Sequence, residues 1–169
     1  MSELYNKEKF KQLTHYFIDK CGHLESFGKT VLVKLLYFAD FDHYEITENL
    51  FTGETYIKKD HGPFPSDIDE ILDELLKEGK ITRRDRVYHE YDQINYVSNI
   101  QPDISSFDDS ERTIIESVLY RYGDKNATQL SDISHEDIPW ETAEDFGILD
   151  YEMVFYRNPL TSVRDYSDD

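Results

Sequence analysis

One short apolar run constrains the fold of this chain more than any other feature. The nine residues from Val31 to Ala39 contain a single charged side chain, Lys34. A helix with so little polar surface must be buried on most of its sides. The run is too short to cross a bilayer, which takes about 20 apolar residues. We therefore expect a helix over about residues 30–44 at the centre of a folded core.

Helical patterns lie on both sides of this run. Apolar side chains recur at helical spacing in four further segments, residues 5–21, 66–78, 108–122 and 126–133. Ser66, Asp108 and Asn126 are each followed three residues later by a residue that can complete a capping box. Pro139 suits the first turn of another short helix, which we expect to end at Gly147.

Strand patterns are fewer and shorter. We predict a hairpin of residues 80–84 and 87–97 with its turn near Asp85 and Arg86, a short strand after the turn at Gly53, and a last strand at 151–156. The segment His61-Gly62-Pro63-Phe64-Pro65 predicts a stiff corner, because a residue that precedes proline is restricted to extended geometry.

These patterns predict the α+β class. The expected domain is single and predominantly helical, spans residues 1–161, and has a small antiparallel sheet that includes a winged-helix-like hairpin. Residues 162–169 are polar and acidic, and we expect them to form a frayed tail.

The charge of the chain bounds its partners. There are 36 acidic and 18 basic residues, for a net charge of −18. This excess repels nucleic acid and anionic lipid and favours solvation or a basic partner. The one cysteine, Cys21, predicts a reducing compartment and lies at helical spacing from Phe17, which makes it core filler. Lysines near the N-terminus interrupt any signal-like stretch, so a cytoplasmic protein without a membrane segment is expected.

No catalytic, cofactor-binding or metal-binding residue can be assigned from the pattern. Asp40 and His43 are three residues apart on the predicted helix and could face one ion, but a polar cluster at a helix end explains them better. The sequence has no Gly-x-Ser-x-Gly elbow and no phosphate-binding glycine loop. Of three interpretations of the function, an enzyme of unknown chemistry is therefore the least favoured.

DNA binding is the second interpretation. The predicted hairpin follows a helix, as the wing follows the last helix of a winged-helix protein, and it carries four basic residues, Lys80, Arg83, Arg84 and Arg86. The helix before it carries six acidic residues between positions 67 and 78, which the phosphate backbone would repel. A DNA-binding autoregulator remains an alternative, and direct contact with nucleic acid is disfavoured.

Three single side chains invite specific hypotheses. Lys34 lies within the apolar helix, so it must reach solvent or find a carboxylate, and we expect it to pair with an acid. His61 could bind a ligand, although a histidine in such a loop more often hydrogen-bonds the backbone. Trp140 is expected to wedge between the C-terminal helices, or to anchor an interface if it is exposed.

Three stretches together resemble one known family. Lys34-Leu35-Leu36-Tyr37-Phe38-Ala39-Asp40 resembles its KLLYxAD helix, and Gly53-Glu54-Thr55-Tyr56 followed by His61-Gly62-Pro63-Phe64-Pro65 is similar to its second segment. The stretch from Leu130 to Trp140 looks like its third. The family is the SocA-like antitoxin domain, or Panacea domain, and the resemblance spans about residues 31–143. It differs at His61, where the family often has tyrosine.

The resemblance implies a function that composition does not. It implies a non-enzymatic antitoxin of a toxin–antitoxin pair, often encoded on prophages, that neutralises a cognate protein toxin by binding it. One branch of the family instead delivers its toxin to an AAA+ protease. The sequence carries no signal for an oligomeric state. The motif residues, with a structural or partner-binding role, are Lys34, Tyr37, Asp40, Gly53, Tyr56, His61, Gly62, Pro63, Pro65, His135, Pro139 and Trp140.

Overall fold

A computed structural model describes residues 4–167 and has the predicted α+β fold. Its helices are α1 (Lys7–Cys21), α2 (Lys29–Thr47), α3 (Ile68–Lys77), α4 (Asp109–Tyr122), α5 (Ala127–His135), α6 (Ile138–Glu141) and a 3-10 helix (Tyr151–Tyr156). Its strands are β1 (Tyr56–Lys59), β2 (Gly62–Pro65), β3 (Ile81–Tyr88) and β4 (Tyr91–Ser98). The strands form two separate antiparallel pairs, β1 with β2 and β3 with β4.

Helix α2 is the buried central helix that the apolar run predicts. Fourteen of its 19 residues are buried, and α1, α4, α5, β2, β4 and the 3-10 helix all pack against it. Its buried set also includes Lys34 and four other ionisable side chains beyond Phe38, so the helix brings charge into the core as well as apolar surface. The other elements must therefore supply polar partners as well as apolar contacts.

The helix caps of the second half follow the sequence signals. Asp108 and Glu111 form a complete capping box at the start of α4, and Asn126 and Gln129 form another at α5. The predicted start of α3 at Ser66 is wrong. The helix begins at Ile68, and its N-cap, Asp67, makes no side-chain cap bond. The buried carboxylate of Glu54 accepts a hydrogen bond from the backbone N–H of Asp67 instead (3.1 Å).

The β3–β4 hairpin is longer than predicted, and the predicted turn position is wrong. Asp85 and Arg86 lie within β3, and the turn falls at His89 and Glu90. Both turn residues have positive φ, 48° and 71°. Such a two-residue turn matches the twist of the strands and usually carries Asn-Gly, so His-Glu gave no turn signal in the sequence.

The predicted corner at residues 61–65 is also wrong, because Gly62 to Pro65 form strand β2. The backbone N–H of Ser66 donates to the carbonyl of Thr55 on the β1 side (2.9 Å). The backbone N–H groups of successive residues in a strand point to opposite edges, so at Pro63 and Pro65 an N–H would point away from β1. Proline is tolerated at such edge positions because no ladder hydrogen bond is lost.

The C-terminal region differs from the prediction in α6, in residues 151–156 and in the tail after residue 161. Helix α6 ends at Glu141 and not at Gly147, because residues Phe146 to Leu149 run beside β1 and form backbone hydrogen bonds with it. Residues 151–156 form the 3-10 helix rather than a strand, since Tyr151, Val154 and Phe155 face the core at helical spacing.

The tail is not frayed through residue 167. Ser162, Val163 and Tyr166 all donate hydrogen bonds to the carboxylate of Glu45 on α2, with donor–acceptor distances from 2.6 to 3.0 Å. The expected domain boundary at residue 161 stays a prediction. The last two residues of the predicted tail lie outside the described residues.

Candidate functional site

Asp137 is the centre of a buried polar network that joins α2 to the C-terminal segment. Its carboxylate accepts hydrogen bonds from the Tyr37 hydroxyl (2.6 Å), the Thr161 hydroxyl (2.9 Å) and two nitrogens of Arg157 (2.9 and 2.8 Å). The side chains of Asp137 and Arg157 have no solvent exposure. A two-point arginine–carboxylate pair fixes direction as well as distance, so it holds the segment after the 3-10 helix against the core.

The same arginine serves two further carboxylates on α2. Arg157 donates to Asp42 (2.8 Å) and to Glu45 (3.1 Å), and Arg121 of α4 also pairs with Asp42 (2.6 Å). Burial raises the pKa of Asp42 to about 6, although both arginines act to lower it. Each carboxylate of this network therefore lies against a guanidinium group, which is typical of a structural centre.

Asp40 belongs to a second buried cluster that contains no cation. Its carboxylate accepts from the backbone and hydroxyl of Thr52 (2.9 and 2.8 Å) and from the hydroxyl of Tyr56 (2.6 Å). Burial raises its pKa to about 6. Gly53, next to this cluster, has a φ of 74°, and a Cβ there would lie 2.5 Å from the carbonyl oxygen of Leu4. The Gly53 and Tyr56 motif positions therefore shape the interior.

Asp40 and His43, considered and disfavoured above as metal ligands, do not converge. Asp40 points to Thr52 and Tyr56, whereas a ring nitrogen of His43 contacts the carbonyl of Asn49 (2.9 Å) and its ring stacks on Phe51. Among residues 4–167, no three His, Cys, Asp or Glu side chains are grouped as a metal ion would require.

The basic residues of the hairpin make contacts within the chain. Lys80 pairs with Glu78 and Arg83 with Asp85. Arg84 bonds Asn95, and Arg86 donates to three carbonyls of the loop between α1 and α2. These side chains stabilise the hairpin and its contact with that loop.

A cleft beside the first half of α2 brings motif segments together. Its volume is about 290 Å³, and we call it the lysine cleft. Its lining includes Val33, Lys34, Lys59, His61, Pro63 and Phe64. Lys34 pairs with no acid among residues 4–167, contrary to the hypothesis from the sequence. Its ammonium donates to the Thr30 carbonyl (3.2 Å) one turn earlier, and the residue is 2% exposed. Burial lowers the pKa of Lys34 to about 8.

Gly62 lets the third motif segment approach this lysine. It has a φ of 130°, and a Cβ there would lie 2.8 Å from the Ser134 hydroxyl and 3.0 Å from Cε of Lys34. Ser131, also on α5, donates to the carbonyl of His61 (2.8 Å), whose side chain is exposed. The three stretches that carry the family resemblance therefore meet at the lysine cleft.

Trp140 lies between the C-terminal helices and β1. Its ring stacks on His135 of α5 with centroids 4.3 Å apart, and its indole N–H donates to the carbonyl of Lys59 (3.2 Å). The ammonium of Lys58 lies 4.3 Å from the ring centroid. Trp140 is half-buried and has the contacts expected of a wedge, and Pro139 beside it is buried.

Comparison with known families decides the relationship. A family model described as "Antitoxin SocA-like, Panacea domain" matches residues 32–141, more than half of the chain. The chain belongs to this family. The Panacea domain so matched begins within α2 and ends with α6, so it excludes α1 and the 3-10 helix. No curated protein and no solved structure matches the chain. Across the described residues, no helix combines the length and the apolar character that a membrane span requires.

Sequence reasoning missed the network around Asp137. A signal was available, because the helix that we expect to be buried carries Asp42 and Glu45. Buried carboxylates require hydrogen-bond donors, so a basic partner elsewhere in the chain could have been predicted. Arg157 is the only basic residue between Tyr151 and Thr161, and it was the natural candidate.

Proposed function

We propose that this protein is an antitoxin that neutralises a protein toxin by direct binding. The observation that carries the proposal is membership of the SocA-like Panacea family over residues 32–141. The burial of Tyr37, Asp40 and Tyr56 supports it, because these motif side chains serve the interior. A common interior leaves the exposed surface free to differ between family members that bind different toxins.

The charge of the molecule supports a basic partner. A net charge of −18 on 169 residues attracts a positively charged protein over a distance set by the ionic strength. We therefore expect association with the toxin to be fast at low salt and to slow by roughly tenfold or more at high salt.

Co-expression tests the proposal. The product of the adjacent gene is expressed alone and together with this protein, and growth and co-purification are measured. We expect growth to stop with the partner alone, to recover on co-expression, and a complex to co-purify. Arrested growth in both strains together with no complex would refute the proposal for that pair.

The fate of the toxin separates two modes of neutralisation. A toxin that accumulates at full level in a stable complex indicates that binding blocks its active surface. A toxin whose level falls on co-expression, and recovers when the AAA+ proteases of the host are deleted, indicates delivery for degradation.

A further inference from the structure

The lysine cleft differs in charge from the rest of the molecule. Of the residues that the structure describes, its lining includes Lys29, Lys34, Lys59 and His61 but no aspartate or glutamate, on a chain with twice as many acidic as basic residues. Lys29 is already paired with Asp69 of α3. Lys34 and Lys59 form no ion pair with any carboxylate among residues 4–167, so their positive charges remain available to a ligand.

The Lys34 ammonium has unused hydrogen-bonding capacity. An ammonium carries three N–H donors, and in the described part of the chain one carbonyl, that of Thr30, accepts at 3.2 Å. Burial of a charged group with unpaired donors costs stability. An arrangement of this kind is typical of a binding site that is complete only when its ligand is present.

We propose that the lysine cleft binds one acidic side chain of the partner toxin, with the Lys34 ammonium as its direct hydrogen-bond partner. This inference rests on the proposed function, because it names the partner group that the antitoxin recognises. Val33, Pro63 and Phe64 provide apolar walls that exclude water and strengthen the ion pair. Lys59, whose ammonium lies 3.8 Å from the Phe64 ring centroid, adds a second positive charge at the exposed rim.

The charge pattern favours a single carboxylate over a polyanion. A nucleic acid would place many phosphates against a surface with an excess of 18 negative charges. One carboxylate on an otherwise basic toxin meets a positive cleft while the surrounding acidic surface attracts the remainder of the toxin. Such a pairing also fixes the orientation of the toxin on the antitoxin.

The first experiment tests the cleft without the toxin. The pKa of Lys34 is followed by NMR of isotope-labelled lysine in the full chain, with sodium acetate as the probe and sodium chloride at equal ionic strength as the control. We expect acetate to raise the pKa of Lys34 by about one unit, because a bound carboxylate favours the charged ammonium. Lys20, on α1 outside the cleft, is expected to show no such change. Equal Lys34 pKa values in both salts would overturn the proposal.

The second experiment uses the complex with the toxin. We expect Lys34→Met and Lys59→Glu each to weaken the complex by about tenfold or more, and Lys20→Glu to leave its affinity within about twofold. Thermal unfolding confirms that each variant is folded. If Lys34→Met does not fold, the exposed Lys59→Glu substitution decides.

The two experiments separate the two proposals. A complex of unchanged affinity with both cleft variants would overturn the assignment of the cleft to the toxin while antitoxin activity stands. If no complex forms even with the unmodified chain, the proposed function fails, and the acetate titration alone decides whether the cleft binds carboxylates.

Discussion

Lys34 is a single side chain whose position lowers the stability of the free protein. Its ammonium is buried with one carbonyl partner, and burial lowers its pKa to about 8. The sequence predicts that the Lys34 ammonium contacts either solvent or a carboxylate, whereas in the structure it binds a backbone carbonyl. The bond to Thr30 could not be predicted, because it depends on β2 and α5 covering this part of α2.

Replacement of Lys34 by methionine should stabilise the protein. Methionine keeps a similar length and removes the buried charge, so we expect the free energy of unfolding at neutral pH to rise by about 1–3 kcal/mol. The advantage should shrink as pH rises above about 8, because wild-type Lys34 then loses its proton in the folded state first. Urea denaturation measures both effects, with Lys77→Met at an exposed position as the control. A destabilised Lys34→Met variant would contradict the prediction.

Glu54 makes the stability depend on pH near neutrality. Burial, with a contribution from Asp67, raises the pKa of Glu54 to about 8 from an ordinary value of 4.5. Between these values the folded state holds a proton that the unfolded state has lost, so stability falls as pH rises. We expect Glu54 alone to contribute a loss of up to about 1.4 kcal/mol per pH unit between about pH 6.5 and 8.

Denaturation at several pH values tests this slope, and Glu54→Gln should reduce it. The lowered pKa values of His15, His43 and Lys34 make stability rise with pH over parts of the same window, so the difference in unfolding free energy between wild type and Glu54→Gln isolates the contribution of Glu54. A difference between wild type and Glu54→Gln that stays constant across the window would contradict the role given to Glu54.

At the scale of elements, the junction between α5 and α6 depends on one carboxylate. Asp137, the N-cap of α6, binds Arg157 at two points and accepts a bond from Tyr37 of α2. Asp137→Ala should reduce the free energy of unfolding by about 3–5 kcal/mol, because it leaves the buried Arg157 without its main partner. Asp132→Ala, at an exposed position of α5, should change it by less than about 0.5 kcal/mol. Equal effects of the two substitutions in chemical denaturation would show that the network is not a structural centre.

The β3–β4 turn is a position where substitution should increase the stability of the protein. His89 and Glu90 both adopt positive φ, which costs energy for residues with a Cβ. Replacement of the pair by Asn-Gly should raise the free energy of unfolding by about 0.5–1 kcal/mol. The thermal midpoint measures this gain, and an unchanged or lower midpoint would contradict it.

The sequence predicts helical elements better than the short strands. The apolar period of α1 and α3 and the capping boxes of α4 and α5 are local signals, and the structure confirms those elements. Strand β2 depends on the partner edge offered by β1, and the extended path of Phe146 to Leu149 depends on the other edge of the same strand. Such pairings join residues that are distant in sequence, so no local sequence pattern predicts them.

At the scale of the whole molecule, the matched domain and the folded unit differ in extent. The family match covers residues 32–141, but α1 contributes Phe10, Leu13, Phe17 and Ile18 to the core, all with no solvent exposure. Arg157, which neutralises Asp137 and Asp42, also lies outside the match. The central helix therefore needs partners from both ends of the chain.

A fragment of residues 32–141 should consequently fail to fold. This fragment exposes the apolar face of α2 that α1 covers, and it leaves three buried carboxylates without Arg157. Either change should cost more free energy than the net folding stability of a small domain. A fragment of residues 1–161 retains both and should fold. Its free energy of unfolding should be lower by about 1–3 kcal/mol, since Glu45 loses the donors that follow residue 161. Circular dichroism and amide NMR dispersion distinguish the two fragments. A well-dispersed spectrum from residues 32–141 would show that the matched domain supplies a sufficient core by itself.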